Sequence, residues 1–254
     1  MPGLCGLSGR NILITGAASG IGRATAVRLG EEGATVLILD LDGDGAELTA
    51  AAIRAAGGQA RARATDITDG AAVEASVDAF EREVGPLGGL VNNAGWDLAG
   101  NFLDTEPEQW RKVIEINLFG PLNVTRAVLS RMVAREEGRV VSIASDAGRV
   151  GSSGESVYAA CKGGIISFSK SVAREVARHG ITLNVVSPGP TDTPLFADFD
   201  PSGKLAKALE RAIPMRRLGQ PSDYPGLVAF LLSDEAAFIT GQTISVSGGL
   251  TMHG

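Results

Sequence analysis

The stretch that decides the fold is NILITGAASGIG, residues 11–22. Its first part, NILIT, is a mostly apolar run, which is typical of a strand buried on both faces of a parallel sheet. A glycine-rich turn follows, and residues 20–32 then have the length and period of a helix. Buried strand, glycine turn and helix in this order predict the first unit of a sheet whose strands alternate with helices.

The rest of the chain continues this alternation. Further buried strands are predicted at 35–39, 89–95, 139–145, 181–189 and 243–249, with a weaker one at 60–66. Helices are predicted at 43–56, 69–84, 107–136, 153–179 and 221–232. The pattern predicts an α/β protein, a Rossmann-type doubly wound parallel sheet of about seven strands with helices on both faces. We expect a single domain over residues 1–254.

Residues 190–220 break the alternation, because they are rich in proline and glycine and show no clear periodic pattern. We expect an irregular segment here that serves as a substrate lid. In open parallel sheets, ligands bind beyond the carboxyl ends of the strands. The polar and glycine-rich sequence falls at those predicted strand ends, so we expect the active site at that edge of the sheet.

Composition excludes several other classes of protein. A net charge of −6 argues against nucleic acid as a partner, and no apolar run approaches the ~18 residues of a membrane helix. The first strand begins too early for a signal peptide, and Cys5 and Cys161 are too few for a disulfide framework. We therefore expect a cytoplasmic protein. His179 and His253 have no metal ligands at suitable spacing, so neither a metal site nor a histidine-dependent hydrolase is predicted.

The turn TGAASGIG, residues 15–22, is the candidate phosphate-binding site. Its glycines are spaced G-x-x-x-G-x-G, which differs from the common G-x-G-x-x-G fingerprint. Gly16, Gly20 and Gly22 allow positive φ angles and a close approach of the backbone, so amide groups at a helix N-terminus can bind a pyrophosphate. A tight strand-to-helix turn without a ligand would use the same glycines.

Asp40, at the end of the second predicted strand, is placed to meet an adenosine ribose. Its carboxylate would accept hydrogen bonds from the 2′- and 3′-hydroxyls and repel a 2′-phosphate. Ser19 and Leu41 supply no basic group to offset that repulsion, so NAD is predicted rather than NADP. The alternative is a surface aspartate that merely ends a strand.

The stretch SVYAACKGG, residues 156–164, places Tyr158 and Lys162 one turn apart on the same side of a predicted helix. A tyrosine and a lysine at this spacing also arise by chance, so the pair needs support from elsewhere in the chain.

Four motifs together provide that support: TGxxxGIG at 15–22, NNAG at 92–95, a serine after the fifth predicted strand, and YxxxK at 158–162. In this order and spacing, over the full chain, they resemble the short-chain dehydrogenase/reductase family. The resemblance implies a catalytic set of Asn117, Ser145, Tyr158 and Lys162. It implies further nicotinamide-dinucleotide contacts, so that the predicted cofactor residues are Gly16, Ser19, Gly20, Ile21, Gly22, Asp40, Leu41, Asp66, Ile67, Asn93, Ala94, Gly95, Tyr158, Lys162, Pro188, Gly189, Thr191 and Thr193.

The resemblance also implies roles for these residues. A free tyrosine has a pKa of about 10 and is scarcely ionised at neutral pH. Lys162 and an oxidised nicotinamide would lower the pKa of Tyr158, which then acts as general base in oxidation and general acid in reduction. Ser145 would orient the substrate oxygen, and Asn117 would hold a water that links Lys162 to solvent. Cys161 is expected to be a small buried side chain.

Longer stretches, among them NNAGWD and RVGSSGESVYAACKGG, resemble members of this family that oxidise 2-hydroxycyclohexanecarboxyl-CoA. That resemblance implies NAD-dependent oxidation of this or a related 3-hydroxyacyl-CoA thioester, within aromatic or alicyclic degradation. Trp96 and Phe196 would form apolar walls for the acyl group, and a core or subunit contact is the alternative for either residue. A cluster of basic side chains would favour CoA phosphates, although solvated helix faces also explain such charges; it consists of Arg149, Lys204, Lys207, Arg211, Arg216 and Arg217.

Two other functions remain open. Reduction of a 3-oxoacyl group on an acyl carrier protein uses the same fold and chemistry, but Asp40 disfavours its usual NADPH. A dinucleotide-binding regulator without turnover would keep the fold alone. The family resemblance further implies a homotetramer, with the helix that carries Tyr158 at one interface and the C-terminal SVSGGLTMHG near another.

Overall fold

The computed structural model of the protein describes residues 6–200 and 202–252. Cys5 and His253 lie outside the described residues. Seven strands form one parallel sheet, and their bounds are Asn11–Thr15 (β1), Thr35–Asp40 (β2), Gln59–Ala64 (β3), Gly89–Asn92 (β4), Gly138–Ile143 (β5), Ile181–Pro188 (β6) and Thr243–Val246 (β7).

The sheet has the order β3-β2-β1-β4-β5-β6-β7. The chain moves outward from β1 in one direction and then returns to build the other half from β4, so the strand order reverses between β1 and β4. This is the doubly wound topology that the sequence predicted, and the reversal opens a crevice at the carboxyl ends of the two central strands.

Both faces of the sheet are covered by helices. In β1, Ile12 and Ile14 belong to a core cluster with Leu29, whereas the intervening Leu13 belongs to a second cluster with Phe80. Because successive side chains of a strand point to opposite faces, a strand that is apolar at every position requires helices on both sides.

Ten α-helices occur in the described residues: Gly20–Glu31 (α1), Gly43–Ala55 (α2), Gly70–Glu83 (α3), Pro107–Ile114 (α4), Gly120–Arg135 (α5), Ala147–Val150 (α6), Ser156–Val176 (α7), Pro194–Phe199 (α8), Lys204–Ala212 (α9) and Pro225–Leu232 (α10). Short 3₁₀ turns add Phe102–Asp104, Ala177–His179, Pro221–Asp223 and Asp234–Ala236. The segment 190–220, predicted to be irregular, therefore contains two helices, α8 and α9. Its proline and glycine residues separate these helices and do not prevent them.

The helix predicted over 107–136 is also interrupted. A π-helical turn, Glu115–Phe119, joins α4 to α5 and contains Asn117. A π turn widens the helix by one residue and occurs most often at functional sites.

No helix in the described part of the chain is long and apolar enough to cross a bilayer.

Candidate active site

A cleft of about 1130 Å³ opens at the carboxyl ends of the strands. Its walls come from the turns that follow the central strands, from the start of α7 and from α8 and α9. Every predicted cofactor residue lines it, as do Ser145, Tyr158 and Lys162. Asn117 is the exception in the predicted set: it is 0% exposed and lies behind the cleft wall.

The β1–α1 turn uses its glycines for two different reasons. Gly16 and Gly20 have positive φ angles, +68° and +56°, as the sequence predicted. Gly22 does not, and it is needed because an added Cβ would lie 2.1 Å from the carbonyl oxygen of Gly16 and 2.4 Å from Nδ2 of Asn93. The turn thus packs tightly on the segment after β4, while the first amides of α1, which have no intrahelical acceptor, face the cleft.

Asn93 is the residue that joins these two segments. Its Nδ2 donates to the carbonyl oxygens of Thr15 (3.0 Å) and Gly16 (2.8 Å), and its main-chain amide donates to Oγ1 of Thr15 at 3.1 Å. The side chain of Asn93 therefore holds the glycine turn against the segment after β4.

Asp40 is half-buried at the end of β2, beside the same turn. Its Oδ2 accepts a hydrogen bond from the amide of Ala18 at 2.8 Å, and its Oδ1 accepts from the amide of Asp42 at 3.0 Å. Each carboxylate oxygen retains a lone pair for a further donor. With exposed Leu41 next to it, the carboxylate borders the cleft without a basic neighbour in that strand end.

The other predicted cofactor residues lie along the same cleft. Asp66 holds its own turn by accepting from the amide and hydroxyl of Thr68, both at 2.8 Å. At the opposite end, Oγ1 of Thr191 donates to the carbonyl oxygen of Gly189 at 2.8 Å, and Oγ1 of Thr193 accepts from the amide of Phe196, which caps α8. A groove with free helix amides at its centre and a carboxylate at one end fits a dinucleotide.

The proposed chemical groups converge where β5 meets α7. The hydroxyl of Ser145 is hydrogen-bonded to the phenol oxygen of Tyr158. The Nζ atom of Lys162 lies 5.4 Å from the centroid of the Tyr158 ring and donates to the carbonyl oxygen of Ile143 at 3.1 Å. Lys162 is 3% exposed, so its ammonium is held within the protein at the cleft wall.

Asn117 is fixed behind this group by the π turn. Its Nδ2 donates to the carbonyl oxygens of Val113 (2.9 Å) and Trp96 (2.5 Å). A Cβ added at Gly95 would lie 2.9 Å from Oδ1 of Asn117 and 3.3 Å from Nζ of Lys162. The absence of a side chain at Gly95 therefore leaves a gap between these two polar atoms.

Lys162 alone does not lower the pKa of Tyr158 below its ordinary value, and the expected effect of Lys162 together with an oxidised nicotinamide stays a prediction. Burial raises the pKa of Tyr158, the negative charges of Glu155 and Asp97 raise it further, and the hydrogen bond from Ser145 opposes them only in part. Burial also lowers the pKa of Lys162 to about 8, against the attraction of Cys161 and Asp97. The protein by itself thus keeps Tyr158 a protonated phenol.

Asp97 and Glu155 are cleft residues that the sequence interpretation missed. Burial, followed by repulsion from Glu155, raises the pKa of Asp97 to about 7. Glu155 lies three residues before Tyr158 as the N-cap of α7, and Asp97 follows the NNAG motif. The fragment NNAGWD contained the signal, since an acidic residue two positions after a motif at the predicted active-site rim is expected to lie near Tyr158.

Three of the six basic residues predicted to meet a CoA phosphate have other hydrogen-bond partners. Arg149 donates to Oγ of Ser245 at 2.9 Å and to the carbonyl oxygen of Thr243 at 3.2 Å. Arg217 forms a two-point ion pair with Asp223, and Arg216 bonds the carbonyl oxygen of Arg211. The remaining basic side chains, Lys204, Lys207 and Arg211, lie exposed on α9.

Apolar side chains form part of the cleft wall. Trp96 and Phe196 line it, together with Leu205 and Leu209 on the inner face of α9. The Nζ atom of Lys112 lies 4.0 Å from the centroid of the Trp96 ring, a cation–π contact that fixes the indole. Among the described residues, no group of three potential metal ligands comes together, and Cys161 is a buried free thiol.

A doubly wound parallel sheet with a glycine turn, a carboxylate after β2 and a Ser–Tyr–Lys group at its crevice defines a dinucleotide-binding oxidoreductase. A family model described as enoyl-(acyl carrier protein) reductase matches residues 16–251. The 3-oxoacyl-[acyl-carrier-protein] reductase FabG of Escherichia coli K12 is 39% identical over 247 residues, 96% of this chain and 98% of that protein.

Solved structures agree with these matches. A 3-oxoacyl-[acyl-carrier protein] reductase from Brucella melitensis with bound NAD has a TM-score of 0.89 at 36% identity, covering 99% of this chain and 94% of that one. A protein from Beutenbergia cavernae described as an NAD(P)-dependent gluconate 5-dehydrogenase, with bound NADP, has a TM-score of 0.92 at 32% identity, covering 96% and 97%. The chain belongs to the short-chain dehydrogenase/reductase family and is an oxidoreductase that binds a nicotinamide dinucleotide.

Proposed function

We propose that this protein is an NAD-dependent enzyme that interconverts a secondary alcohol and a ketone. The observation that carries the proposal is the convergence of Ser145, Tyr158 and Lys162 on one wall of the cleft. The bound dinucleotide would supply or accept the hydride and, when oxidised, add a positive charge that favours the phenolate. The chain itself must then bind the substrate oxygen and move one proton.

Each side chain has a distinct task in that proton transfer. The Ser145 hydroxyl orients the substrate oxygen toward Tyr158. The phenol donates its proton to a ketone in reduction and accepts one from an alcohol in oxidation. Because the protein holds Tyr158 protonated, its resting state suits the general acid of reduction. The gap beside Gly95, bordered by Asn117 and Lys162, is where a water would connect the ammonium to solvent.

The choice of NAD over NADP rests on Asp40. Its carboxylate repels a 2′-phosphate and binds ribose hydroxyls, and a hydrogen bond to a charged group contributes about 1.5–3 kcal/mol. We expect Asp40→Asn, which keeps an acceptor for Ala18, to lower kcat/KM for NAD by about 10- to 100-fold.

Adding Leu41→Arg to that variant should raise kcat/KM for NADP, because a guanidinium binds phosphate. Asp44→Asn removes an acidic residue from the first turn of α2, outside the cleft wall, and serves as the control. Steady-state kinetics with both cofactors check this prediction, and a wild-type enzyme that prefers NADPH would contradict it.

For the substrate we propose 2-hydroxycyclohexanecarboxyl-CoA or a related 3-hydroxyacyl-CoA thioester. The apolar wall of Trp96, Phe196, Leu205 and Leu209 suits the acyl group. We assign segment 190–220 the role of the lid, because the leucines of α9 line the cleft. The basic side chains of α9 are exposed, and they would meet the phosphates of CoA outside the acyl site.

Reduction of a 3-oxoacyl group on an acyl carrier protein is the second candidate. The relatives with that name favour it, and the basic face of α9 would equally receive an acidic carrier protein. The deciding experiment follows the absorbance of NADH while the same acyl chain is offered on CoA and on acyl carrier protein, beside the cyclic thioester. A kcat/KM at least tenfold higher for the carrier protein would overturn the CoA proposal.

Charge reversal tests whether α9 binds the carrier. We expect the triple substitution Lys204→Glu, Lys207→Glu and Arg211→Glu to raise the KM for a CoA thioester and leave kcat nearly unchanged. The control reverses three exposed charges outside the cleft and outside α7, with the same change in net charge: Arg54→Glu, Arg61→Glu and Arg82→Glu. Equal KM values for the two triple variants would exclude α9 as the phosphate site.

The same proposal includes a cytoplasmic homotetramer. Strand β7 ends the sheet with all four residues half-buried, and Phe238, just before it, is fully exposed. Such an edge suits pairing with a second copy. Light scattering after size exclusion checks the assembly.

A dinucleotide-binding regulator is the alternative that would remain if a broad alcohol and thioester panel gave no turnover.

A further inference from the structure

Two carboxyl groups that the mechanism above does not use lie next to Tyr158. Asp97 follows β4, and Glu155 begins α7. Both line the main cleft, and both line a second cavity of about 20 Å³ behind it, as does Tyr158. The three side chains therefore form a wall between the cleft and a space large enough for about one water.

The hydrogen bonds of Asp97 leave one of its carboxylate oxygens without a donor. Its Oδ1 accepts from the amide of Leu98 at 2.8 Å, whereas its buried Oδ2 has no donor among the described residues. Glu155 lines the same two cavities, and its repulsion of the Asp97 carboxylate helps to raise the pKa of Asp97. Two ionised carboxylates offer only acceptors, so Oδ2 gains a partner when the pair retains one proton.

The neighbouring cations are not directed at Oδ2 of Asp97, so they do not take the place of a shared proton. Lys162 attracts the Asp97 carboxylate, but this is the smallest of its influences, and the Lys162 ammonium is directed to the carbonyl oxygen of Ile143. Cys161 is a buried thiol on the same helix. On the other side, Lys112 lies over the Trp96 ring, and Glu115 also lines this part of the cleft.

We propose that Asp97 and Glu155 share one proton and act as positioning residues that set the acid/base state of Tyr158. When both are ionised, their charge holds the phenol in its protonated form; when they retain the proton, the phenolate forms more easily. The sign follows from the structure, where both carboxyl groups raise the pKa of Tyr158. Since the pKa of Asp97 is about 7, the pair changes charge near neutral pH. The inference rests on the proposed role of Tyr158.

The kinetic test is the pH profile of kcat/KM for alcohol oxidation, which requires the phenolate. We expect Asp97→Asn or Glu155→Gln to lower the apparent pKa of that profile by about one unit, the lower end of the effect of a charge a few Å away. The double variant should lower it further. Glu108→Gln, an exposed acid on α4 paired with Arg111, should leave the profile unchanged. Profiles that coincide for all variants would refute the inference.

Infrared difference spectroscopy separates this inference from the proposed substrate. Raising the pH through about 7 should remove the C=O stretch of a protonated carboxyl group in the wild-type enzyme, without substrate. That change should be absent in Asp97→Asn, which lacks the buried carboxyl group, and should move to lower pH in Glu155→Gln, where Asp97 stays buried but the repulsion from Glu155 is gone. If the band change is present and no thioester is turned over, the proposed function fails while the shared proton stands. If the wild-type enzyme lacks the band change, the shared proton is refuted whatever the kinetics show.

Discussion

At the scale of single residues, the site depends on a phenol whose proton is retained by burial. Tyr158→Phe removes the hydroxyl and leaves the ring, so the packing around Ser145 and Lys162 is nearly preserved. We expect turnover to fall by about 10²–10⁴-fold, the usual contribution of a positioned acid or base. NADH fluorescence titration should give an unchanged Kd, because the phenyl ring still fills its place in the cleft wall.

Lys162→Met is the companion variant for that prediction. It removes a buried ammonium, and we expect it to weaken both NADH binding and turnover, since Lys162 would bind the nicotinamide ribose. A Tyr158→Phe enzyme that retained wild-type kcat would show that another group donates the proton. Equal loss of NADH binding in the two variants would instead indicate that Tyr158 is a binding residue.

The residues of this site were predictable from sequence to different degrees. The motif positions identified Ser145, Tyr158 and Lys162, which line one cleft. The sign of the Tyr158 pKa shift was not predictable, since spacing identifies a neighbour four residues away but measures neither burial nor a carboxyl group such as Asp97 from a distant strand end. Likewise, the sequence assigned Arg149 to a basic cluster, but its bond to Ser245 depends on the later strand β7.

At the scale of secondary-structure elements, the contact between α6 and α7 positions the helix that carries Tyr158. A Cβ added at Gly148 would lie 2.6 Å from the amide nitrogen of Gly163 and 2.8 Å from Cβ of Lys162. Gly148→Ala must therefore displace α7. We expect a loss of about 1–3 kcal/mol in stability from overpacking. Because a misplacement of about 1 Å can cost 10²-fold in rate, kcat should fall by about tenfold or more.

The control for this variant is Gly226→Ala in α10, where an added Cβ meets nothing within 4 Å. Glycine-to-alanine changes in an open helical position raise stability slightly or leave it unchanged. Thermal unfolding and NADH-linked kinetics on both variants check the prediction. If Gly148→Ala matched Gly226→Ala in Tm and kcat, the close approach of α6 and α7 would not position the site.

The elements themselves show where sequence periodicity stops being informative. The strands and most helices were found within a few residues, because buried apolar runs and helical periods are local signals. The π turn at Glu115–Phe119 was not found, since one extra residue in a turn scarcely disturbs the apolar pattern. Helix α9 was also missed, because the surrounding proline and glycine residues masked its short amphipathic stretch KLAKALERA.

At the scale of the whole molecule, alternation of strands and helices predicted a doubly wound parallel sheet, and the structure confirmed it. Because ligands of such sheets bind beyond the carboxyl ends of the strands, the sequence also predicted where the cleft lies. The sequence did not reveal which charged residues, far apart in the chain, form ion pairs that connect its first and last elements. Asp234, after α10, is the principal example.

Asp234 pairs with two guanidinium groups that lie mostly within the protein. Its Oδ1 lies 2.5 Å from Nη2 of Arg10 and 3.2 Å from Nη2 of Arg139, so one carboxylate connects the residue before β1 with strand β5. The hydrogen bond from Arg10, and then the charges of Arg10 and Arg139, lower the pKa of Asp234 from its ordinary value. A carboxyl group with a lower pKa in the folded state stabilises the fold above its unfolded pKa, and that contribution is lost as the pH falls through the folded pKa.

We therefore expect the wild-type protein to lose stability as the pH falls below about 4, partly through Asp234. Asp234→Asn should be less stable at neutral pH, because Arg10 and Arg139 lose their anionic partner. It should also lose less stability on acidification than the wild-type protein does. The Asp234 side chain is largely exposed, so solvent screening makes this a small effect.

Urea unfolding across a pH series at fixed protein concentration measures this effect, with Glu235→Gln as the neighbouring exposed control. If the stability curves of Asp234→Asn and the wild-type protein stayed parallel from neutral to acid pH, this ion pair would not contribute to acid unfolding.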